Sequence, residues 1–145
     1  MRIQGSLKAA ADPGALMAAI ADMRSILPCL AGVVKVNAVS QDRLMCRIRI
    51  REGIVKGTFD VDARMEATGN TIILFFKMNG TLGTATGSIT AALSQAGSST
   101  LVEYQGDTEI RGLAAAIAGD AVDDAVGKFV RTVMDCLMSA KPART

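Results

Sequence analysis

The sequence predicts an α+β fold in which a long C-terminal helix covers a curved antiparallel sheet of about seven strands, with two short helices after the first strand. Three observations predict it. Between residues 33 and 110 apolar and polar residues mostly alternate, which is the period of strands. Between residues 113 and 138 the apolar period changes to that of a helix. The 145 residues suit a single domain, 1–145.

The first strand and the two short helices occupy residues 2–28. Residues 2–8 alternate, with Ile3 and Leu7 on the apolar side. Asp12 and Pro13 are typical of a helix start, because Asp caps free backbone N–H groups and Pro fits the first turn. Asp22 is expected to cap a second short helix that Pro28 ends.

A strand begins at Val33, where Val34 and Val36 alternate with Lys35 and Asn37. A hairpin is then predicted from residues 44–51 and 58–66, joined by a loop over residues 52–57. In the expected register Arg49 faces Asp60 and Arg47 faces Asp62, while Ile50 meets Phe59 and Ile48 meets Val61 on the other face. The row of arginines resembles an anion-binding patch. Cross-strand ion pairs on a solvated face are the preferred interpretation.

Three further strands follow. Residues 71–79 are apolar on both faces, which is typical of a strand buried on both sides. Residues 84–95 are rich in Gly, Ala, Ser and Thr, and the glycines indicate a bend or a close approach. Residues 101–110 place Tyr104 on one face and Asp107 and Glu109 on the other.

The predicted C-terminal helix has an apolar stripe and an acidic stripe. Val133 and Leu137 belong to the first, and Arg131 and Asp135 lie on the opposite side. Leu113 and Ile117 fall in line with the acidic stripe, so with Phe75 they are expected to form an exposed apolar surface that docks a partner or a second copy of the chain.

Composition excludes several classes of function. The formal net charge is +2, and basic residues are interspersed with acidic ones, so nucleic-acid binding is not expected. The chain has no histidine, which excludes Ser-His and Cys-His pairs and HExxH zinc sites. No metal or cofactor is expected.

Cysteine usage and hydropathy indicate the compartment. Cys29, Cys46 and Cys136 are far apart within apolar runs, so we expect neither a disulfide framework nor a zinc site, and a reduced, cytoplasmic protein. No apolar run reaches the ~18–20 residues that span a bilayer. At most peripheral membrane contact, at the inner face, is therefore expected.

A hydrophobic pocket is expected between the sheet, the short helices and the C-terminal helix. Eight methionines and few aromatic residues suit an adaptable apolar interior. The candidate wall residues are Leu16, Met17, Ile20, Leu27, Leu74, Phe76, Met78, Tyr104, Val122 and Phe129. Plain core packing is the alternative role for each of them.

Four segments carry a resemblance to a known family. They are Leu27-Pro28 with Gly32, the run from Gly53 to Phe59 (GIVKGTF), Thr86-Gly87-Ser88, and Gly112-Leu113-Ala114. With this order of elements, the sequence resembles the G subunit of carbon monoxide dehydrogenase, a family of the START-like (SRPBCC) superfamily, whose fold is the helix grip.

The resemblance implies a non-enzymatic accessory protein of a molybdenum hydroxylase of the carbon monoxide dehydrogenase type. It would bind a lipid-like or quinone-like molecule and help recruit the enzyme to the membrane. Two alternatives remain open. One is a cyclase or hydratase that uses Asp107 or Glu109 with Tyr104, and the other is a docking scaffold that binds a partner or forms a homodimer.

Overall fold

A computed structural model describes residues 2–52, 55–112, 128, 131–133 and 135–137. The described strands are β1 (Arg2–Ala9), β2 (Val33–Val39), β3 (Arg43–Glu52), β4 (Val55–Thr68), β5 (Thr71–Gly80), β6 (Gly83–Ala96) and β7 (Ser99–Arg111). They form one seven-stranded antiparallel sheet in the order β1-β7-β6-β5-β4-β3-β2. The predicted sheet is confirmed, and its edges are β1 and β2.

Two short helices follow β1, as predicted. In α1 (Pro13–Ile20) the Asp12 carboxylate accepts a hydrogen bond from the Ala15 backbone N–H at 2.9 Å. In α2 (Met23–Ile26) Asp22 accepts from the Arg24 backbone N–H at 2.9 Å, and the Arg24 side chain holds the pKa of that carboxyl below its usual value. A 3-10 turn at Leu27–Cys29 follows, so Pro28 lies inside a turn just after α2.

The sheet has an apolar inner face, which packs on the short helices, and a polar outer face. On β3, Leu44, Cys46 and Ile48 are buried, while Arg47 and Arg49, which point to the opposite face, are exposed. The most deeply buried apolar side chains come from both layers, namely Leu16, Met23, Leu44, Ile48 and Val102. The core therefore lies where α1 and α2 cover the inner face.

The predicted register of the β3–β4 hairpin is wrong by two residues. Arg47 pairs with Asp60, and Arg49 pairs with Thr58. The reason is the connection, because pairing continues to Glu52 and Val55 rather than stopping at the expected loop of residues 52–57. A slip of two residues keeps every side chain on its predicted face. The ion-pair interpretation therefore holds for Arg47 and fails for Arg49.

The predicted helix over residues 113–138 falls largely outside the described residues. Within it, residues 128, 131–133 and 135–137 are helical, and we call them the C-terminal helical segment. Thr132 Oγ1 donates to the Lys128 carbonyl at 2.9 Å, one helical turn away. Leu137 is buried and Val133 packs on the core. These residues lie on the predicted stripe.

The expectation that all three cysteines are reduced is wrong. Cys29 and Cys136 form a disulfide, and only Cys46 is free and buried. The two bonded residues are 107 positions apart in the chain. The bond ties the 3-10 turn after α2 to the C-terminal helical segment, a proximity that only the folded chain creates.

Candidate functional site

The candidate wall residues on β5 are Leu74, Phe76 and Met78, which alternate along the strand on its inner face. Their partners on β6 are Ile89, Gly87 and Ala85 respectively. β6 thus presents small side chains at two of the three positions. The small-residue composition of β6 creates a shallow part of the inner face beside the larger β5 side chains.

Aromatic rings extend sideways over glycines of neighbouring strands on this face. A Cβ placed on Gly87 would lie 3.1 Å from Phe76 Cζ, and one on Gly80 would lie 2.6 Å from Phe59 Cδ1. A Cβ on Gly5 would lie 2.4 Å from the Tyr104 hydroxyl oxygen. Because these rings lie along the sheet instead of standing away from it, they occupy little height above it. This arrangement favours open space over the inner face.

The inner face is unevenly covered. Leu74, Phe76 and Met78 are only half-buried although they pack against the core. Ile89 on β6 and Val61 on β4 are half-buried in the same way. Neither Ile89 nor Val61 is among the candidate wall residues predicted from the sequence, although their positions in the alternation could have identified them. The middle of the inner face is thus an accessible apolar surface.

The remaining described candidates lie around this surface. Leu16 and Ile20 of α1 are buried, and Tyr104 on β7 is 5% exposed. Met17 and Leu27 are half-buried and pack on the same apolar cluster. All eight described candidates therefore belong to one cluster. The other two, Val122 and Phe129, lie outside the described residues.

The two carboxylates of the enzymatic alternative are on the outer face. Asp107 lies 3.9 Å from Arg2, Glu109 pairs with Arg111, and both acids are exposed. Among the described residues, no charged side chain is buried, and the buried polar side chains are Thr100 and Thr108. The described inner face therefore offers Tyr104 no carboxylate partner for acid–base chemistry.

The free thiol of the described residues is not activated for nucleophilic chemistry. Burial raises the pKa of the Cys46 thiol, which keeps it neutral and a poor nucleophile. No cluster of three or more metal-ligating side chains occurs in the described part of the chain. The described inner face offers an apolar contact surface, with Tyr104 as a polar group on β7.

The outer face has different chemistry. Arg64 lies over the Phe75 ring, with its guanidinium carbon 5.6 Å from the ring centre, and Phe75 is half-buried. Leu113 and Ile117, its expected partners in an exposed apolar surface, lie outside the described residues. No helix in the described part of the chain is long and apolar enough to cross a membrane.

Comparison with known proteins identifies a family and a shared fold. The family model for CoxG, the G subunit of carbon monoxide dehydrogenase, matches residues 5–141. A search of curated protein sequences found no match.

Solved structures share the fold at low sequence identity. A conserved protein from Geobacillus kaustophilus is 16% identical with a TM-score of 0.84, covering 95% of this chain and 93% of its own. A START superfamily protein from Mycobacterium smegmatis is 16% identical with a TM-score of 0.66, covering 94% of each chain. The Zhui aromatase/cyclase from Streptomyces sp. R1128 is 10% identical with a TM-score of 0.67, covering 95% and 91%. The fold is therefore START-like.

Proposed function

This chain belongs to the CoxG family of carbon monoxide dehydrogenase, and from that premise we propose that it binds a hydrophobic molecule between its sheet and its C-terminal helix. The observation that carries the proposal is the half-buried inner face around Leu74, Phe76 and Met78. Apolar side chains in the interior of a domain are normally fully buried. A lipid-like or quinone-like molecule would complete their burial.

The energetics of empty space favour an occupant. An unfilled apolar void costs about 24 cal/mol per Å³, so a void of ~300 Å³ would cost on the order of 7 kcal/mol. That is comparable with the whole stability of a domain. The glycine–aromatic pairs, in which Phe76 covers Gly87 and Tyr104 covers Gly5, make room at the sheet. A bound apolar molecule would recover the contacts that the void lacks.

Tyr104 is a polar group of the same inner face, on β7, two strands away from β5, and its ring extends toward the edge strand β1. Its side chain is buried, and no hydrogen bond joins its hydroxyl to another described residue. The hydroxyl can therefore donate a hydrogen bond to a ligand that extends from β5 across β6 and β7. A quinone carbonyl or a lipid ester oxygen would accept a hydrogen bond from it. This is the feature that favours a ligand with an oxygen-bearing head over a plain hydrocarbon.

The proposed role is that of a non-enzymatic accessory protein. The family assignment supports a molybdenum hydroxylase of the carbon monoxide dehydrogenase type as the partner, which the protein would help to recruit to the membrane. The proposed location is the cytoplasm, at the inner face of the membrane. The Cys29–Cys136 bond removes the cysteine argument for a reducing compartment, so this location rests on the family alone.

The enzymatic alternative has a structural neighbour in its favour, namely the aromatase/cyclase. At 10% identity that likeness concerns the fold and carries no residue roles. The exposed positions of Asp107 and Glu109 oppose it. We therefore favour binding without catalysis.

Native mass spectrometry with organic extraction tests the proposal. The protein as purified is expected to carry extra mass that extraction releases as a quinone or lipid, and a stripped sample is expected to take up added ubiquinone-1. The blocking variant is Ala85→Phe, because Ala85 is half-buried on the inner face of β6. Thr86→Phe is the matched control, since Thr86 is the next residue and is exposed.

We expect Ala85→Phe to abolish uptake and Thr86→Phe to preserve it. A wild-type protein that carries no ligand and takes up none would contradict the proposal. Equal uptake by both variants would place the ligand away from the inner face of β6.

A further inference from the structure

The four arginines on the outer face of β3 are not equivalent. Arg47 Nε donates to Asp60 Oδ1 at 2.8 Å, and Arg43 pairs with Asp62 at 3.0 Å. The β3–β4 register places Thr58 opposite Arg49 and Lys56 opposite Arg51. Within the described part of the chain, no carboxylate forms an ion pair with Arg49, Arg51 or Lys56. One end of the hairpin therefore carries three exposed positive charges that form no ion pair with a described carboxylate.

The nearest acidic residue on this face does not offset them. Asp60 is already bonded to Arg47, and Lys35 on β2 lies close enough to lower the pKa of the same carboxyl further. Asp60 thus interacts with two cations, Arg47 and Lys35. The positive excess at this end of the sheet remains.

An open cleft of about 360 Å³ lies beside these charges. One wall is residues 31–34, and the other contains Arg49, Ile50 and Arg51. Val34 is 52% exposed, which is unusual for a large apolar side chain. The Gly32 carbonyl accepts a hydrogen bond from the Arg49 backbone N–H at 2.8 Å, which holds the two walls together. The cleft is therefore amphipathic, with an apolar wall next to two guanidinium groups.

We propose that this cleft, together with Lys56 opposite Arg51 on β4, binds the anionic headgroups of a lipid bilayer through the three cations Arg49, Arg51 and Lys56. We call this surface the basic cleft. The inference deepens the proposed function and rests on it, because it names the surface by which the protein would reach the membrane. Phosphate groups would meet the guanidinium groups, which suit phosphate geometry, while Val34 would contact the apolar boundary of the headgroups.

Two other occupants fit the surface less well. A second copy of the chain related by two-fold symmetry would bring like charges together at the interface, which is unfavourable. An added strand from another protein would need a regular edge, yet the pairing of β2 with β3 is irregular at two places, between Val33 and Lys35 and between Val36 and Ala38. An anionic bilayer requires neither feature.

Co-sedimentation with vesicles tests the inference. A Lys or Arg near an anionic membrane surface contributes about 1 kcal/mol, so Arg49→Gln with Arg51→Gln should weaken partitioning about 30-fold. The vesicles are mixed phosphatidylglycerol and phosphatidylcholine, compared with phosphatidylcholine alone. The matched control is Arg43→Gln with Arg64→Gln, which removes the same charge from the same face.

The control pair is chosen for its distance. Arg43 pairs with Arg64 across the hairpin, and six residues of strand, about 20 Å, separate Arg43 from Arg49. That is more than twice the Debye length of about 8 Å at physiological salt, so the control should bind within a few-fold of wild type.

The inference would be overturned if the wild-type protein did not bind the anionic vesicles, or bound neutral vesicles equally well. Equal losses of vesicle binding in both double variants would also overturn it. So would retention of the protein on poly-glutamate without vesicle binding. The last would assign the cleft to an acidic protein instead. Ubiquinone-1 uptake by the same samples is measured separately. Vesicle binding can therefore fail while the proposed function stands, and the reverse also holds.

Discussion

The ring of Tyr104 lies across Gly5, its cross-strand partner, so closely that a Cβ on Gly5 would be 2.4 Å from the tyrosine oxygen. This contact joins the edge strand β1 to β7 and directs the tyrosine along the sheet. Phe76 and Gly87 repeat the relationship between β5 and β6. Glycine at these positions is therefore required for close approach of neighbouring atoms rather than for backbone freedom.

Gly5→Ala tests this contact. Because the added methyl group would overlap the Tyr104 ring, we expect a loss of about 1–3 kcal/mol in the free energy of unfolding, which is typical of overpacking. Urea unfolding measures it. A double-mutant cycle adds Gly5→Ala in a Tyr104→Leu background, where the tyrosine ring is absent. There the loss in the free energy of unfolding caused by Gly5→Ala should fall by at least half. An equal cost in both backgrounds would contradict the account.

The hydrogen-bonded walls of the basic cleft depend on Gly32. Its φ is +80°, and an added Cβ would lie 2.1 Å from the Arg49 carbonyl oxygen. Gly97 is the matched control, because its φ is +63° and nothing lies within 4 Å of its added Cβ. Gly97→Ala should cost only the left-handed backbone penalty of about 1–2 kcal/mol.

Gly32→Ala should cost that amount and at least ~1 kcal/mol more for the overlap. Thermal and urea unfolding of the two variants give the comparison. Equal losses would show that the contact between residue 32 and Arg49 is looser than described.

The disulfide makes a countable prediction. In the native, unreduced protein no thiol should react with Ellman's reagent, because Cys46 is 2% exposed and burial raises its pKa. Unfolding without reductant should expose one thiol, and unfolding after reduction should expose three. Three reactive thiols in the unreduced, unfolded protein would restore the interpretation that all cysteines are reduced.

The Arg47–Asp60 pair makes a prediction about pH. The hydrogen bond from Arg47 holds the pKa of the Asp60 carboxyl below its ordinary value of about 3.9. Because the folded-state pKa is depressed, the stabilisation by this pair is present above the unfolded-state pKa and is lost as the pH falls through the folded-state pKa.

Arg47→Gln should therefore raise the Asp60 pKa toward its ordinary value, as measured by NMR of the carboxyl carbon. Arg49→Gln is the control and should leave it nearly unchanged, because Arg49 faces Thr58. If the two variants moved the Asp60 pKa equally, the observed register would be wrong.

The faces of the strands were predictable, and their register was not. Alternation placed Cys46 and Ile48 inside and Arg47 outside, and the structure confirms it. Because the direction of the side chains repeats every two residues, a register slip of two residues leaves each side chain on the same face of the sheet. Inward residues still face inward residues and outward residues still face outward ones. Only the length of the turn distinguishes the two registers, and the sequence pattern placed the turn over too many residues. The basic cleft follows from this difference in register, because Arg49 lies opposite Thr58 instead of Asp60.

Long-range contacts were beyond reach for a different reason. Nothing local in the sequence marks Cys29 and Cys136 as partners across 107 positions, and both lie in apolar runs that suit free, buried cysteines. The candidate wall residues on β5 were predictable from periodicity. How completely they are covered depends on the height of the layer above them, which periodicity does not determine.

Methionine methyl NMR of the native chain tests the central claim most directly. Met78 on β5 and Met17 on α1 are half-buried in the apolar cluster, and Met45 lies on the outer face of β3. On addition of ubiquinone-1 we expect the methyl signals of Met78 and Met17 to shift and saturate, while the signal of Met45 stays in place. Unchanged signals at Met78 and Met17, or a shift confined to Met45, would contradict binding at the inner face.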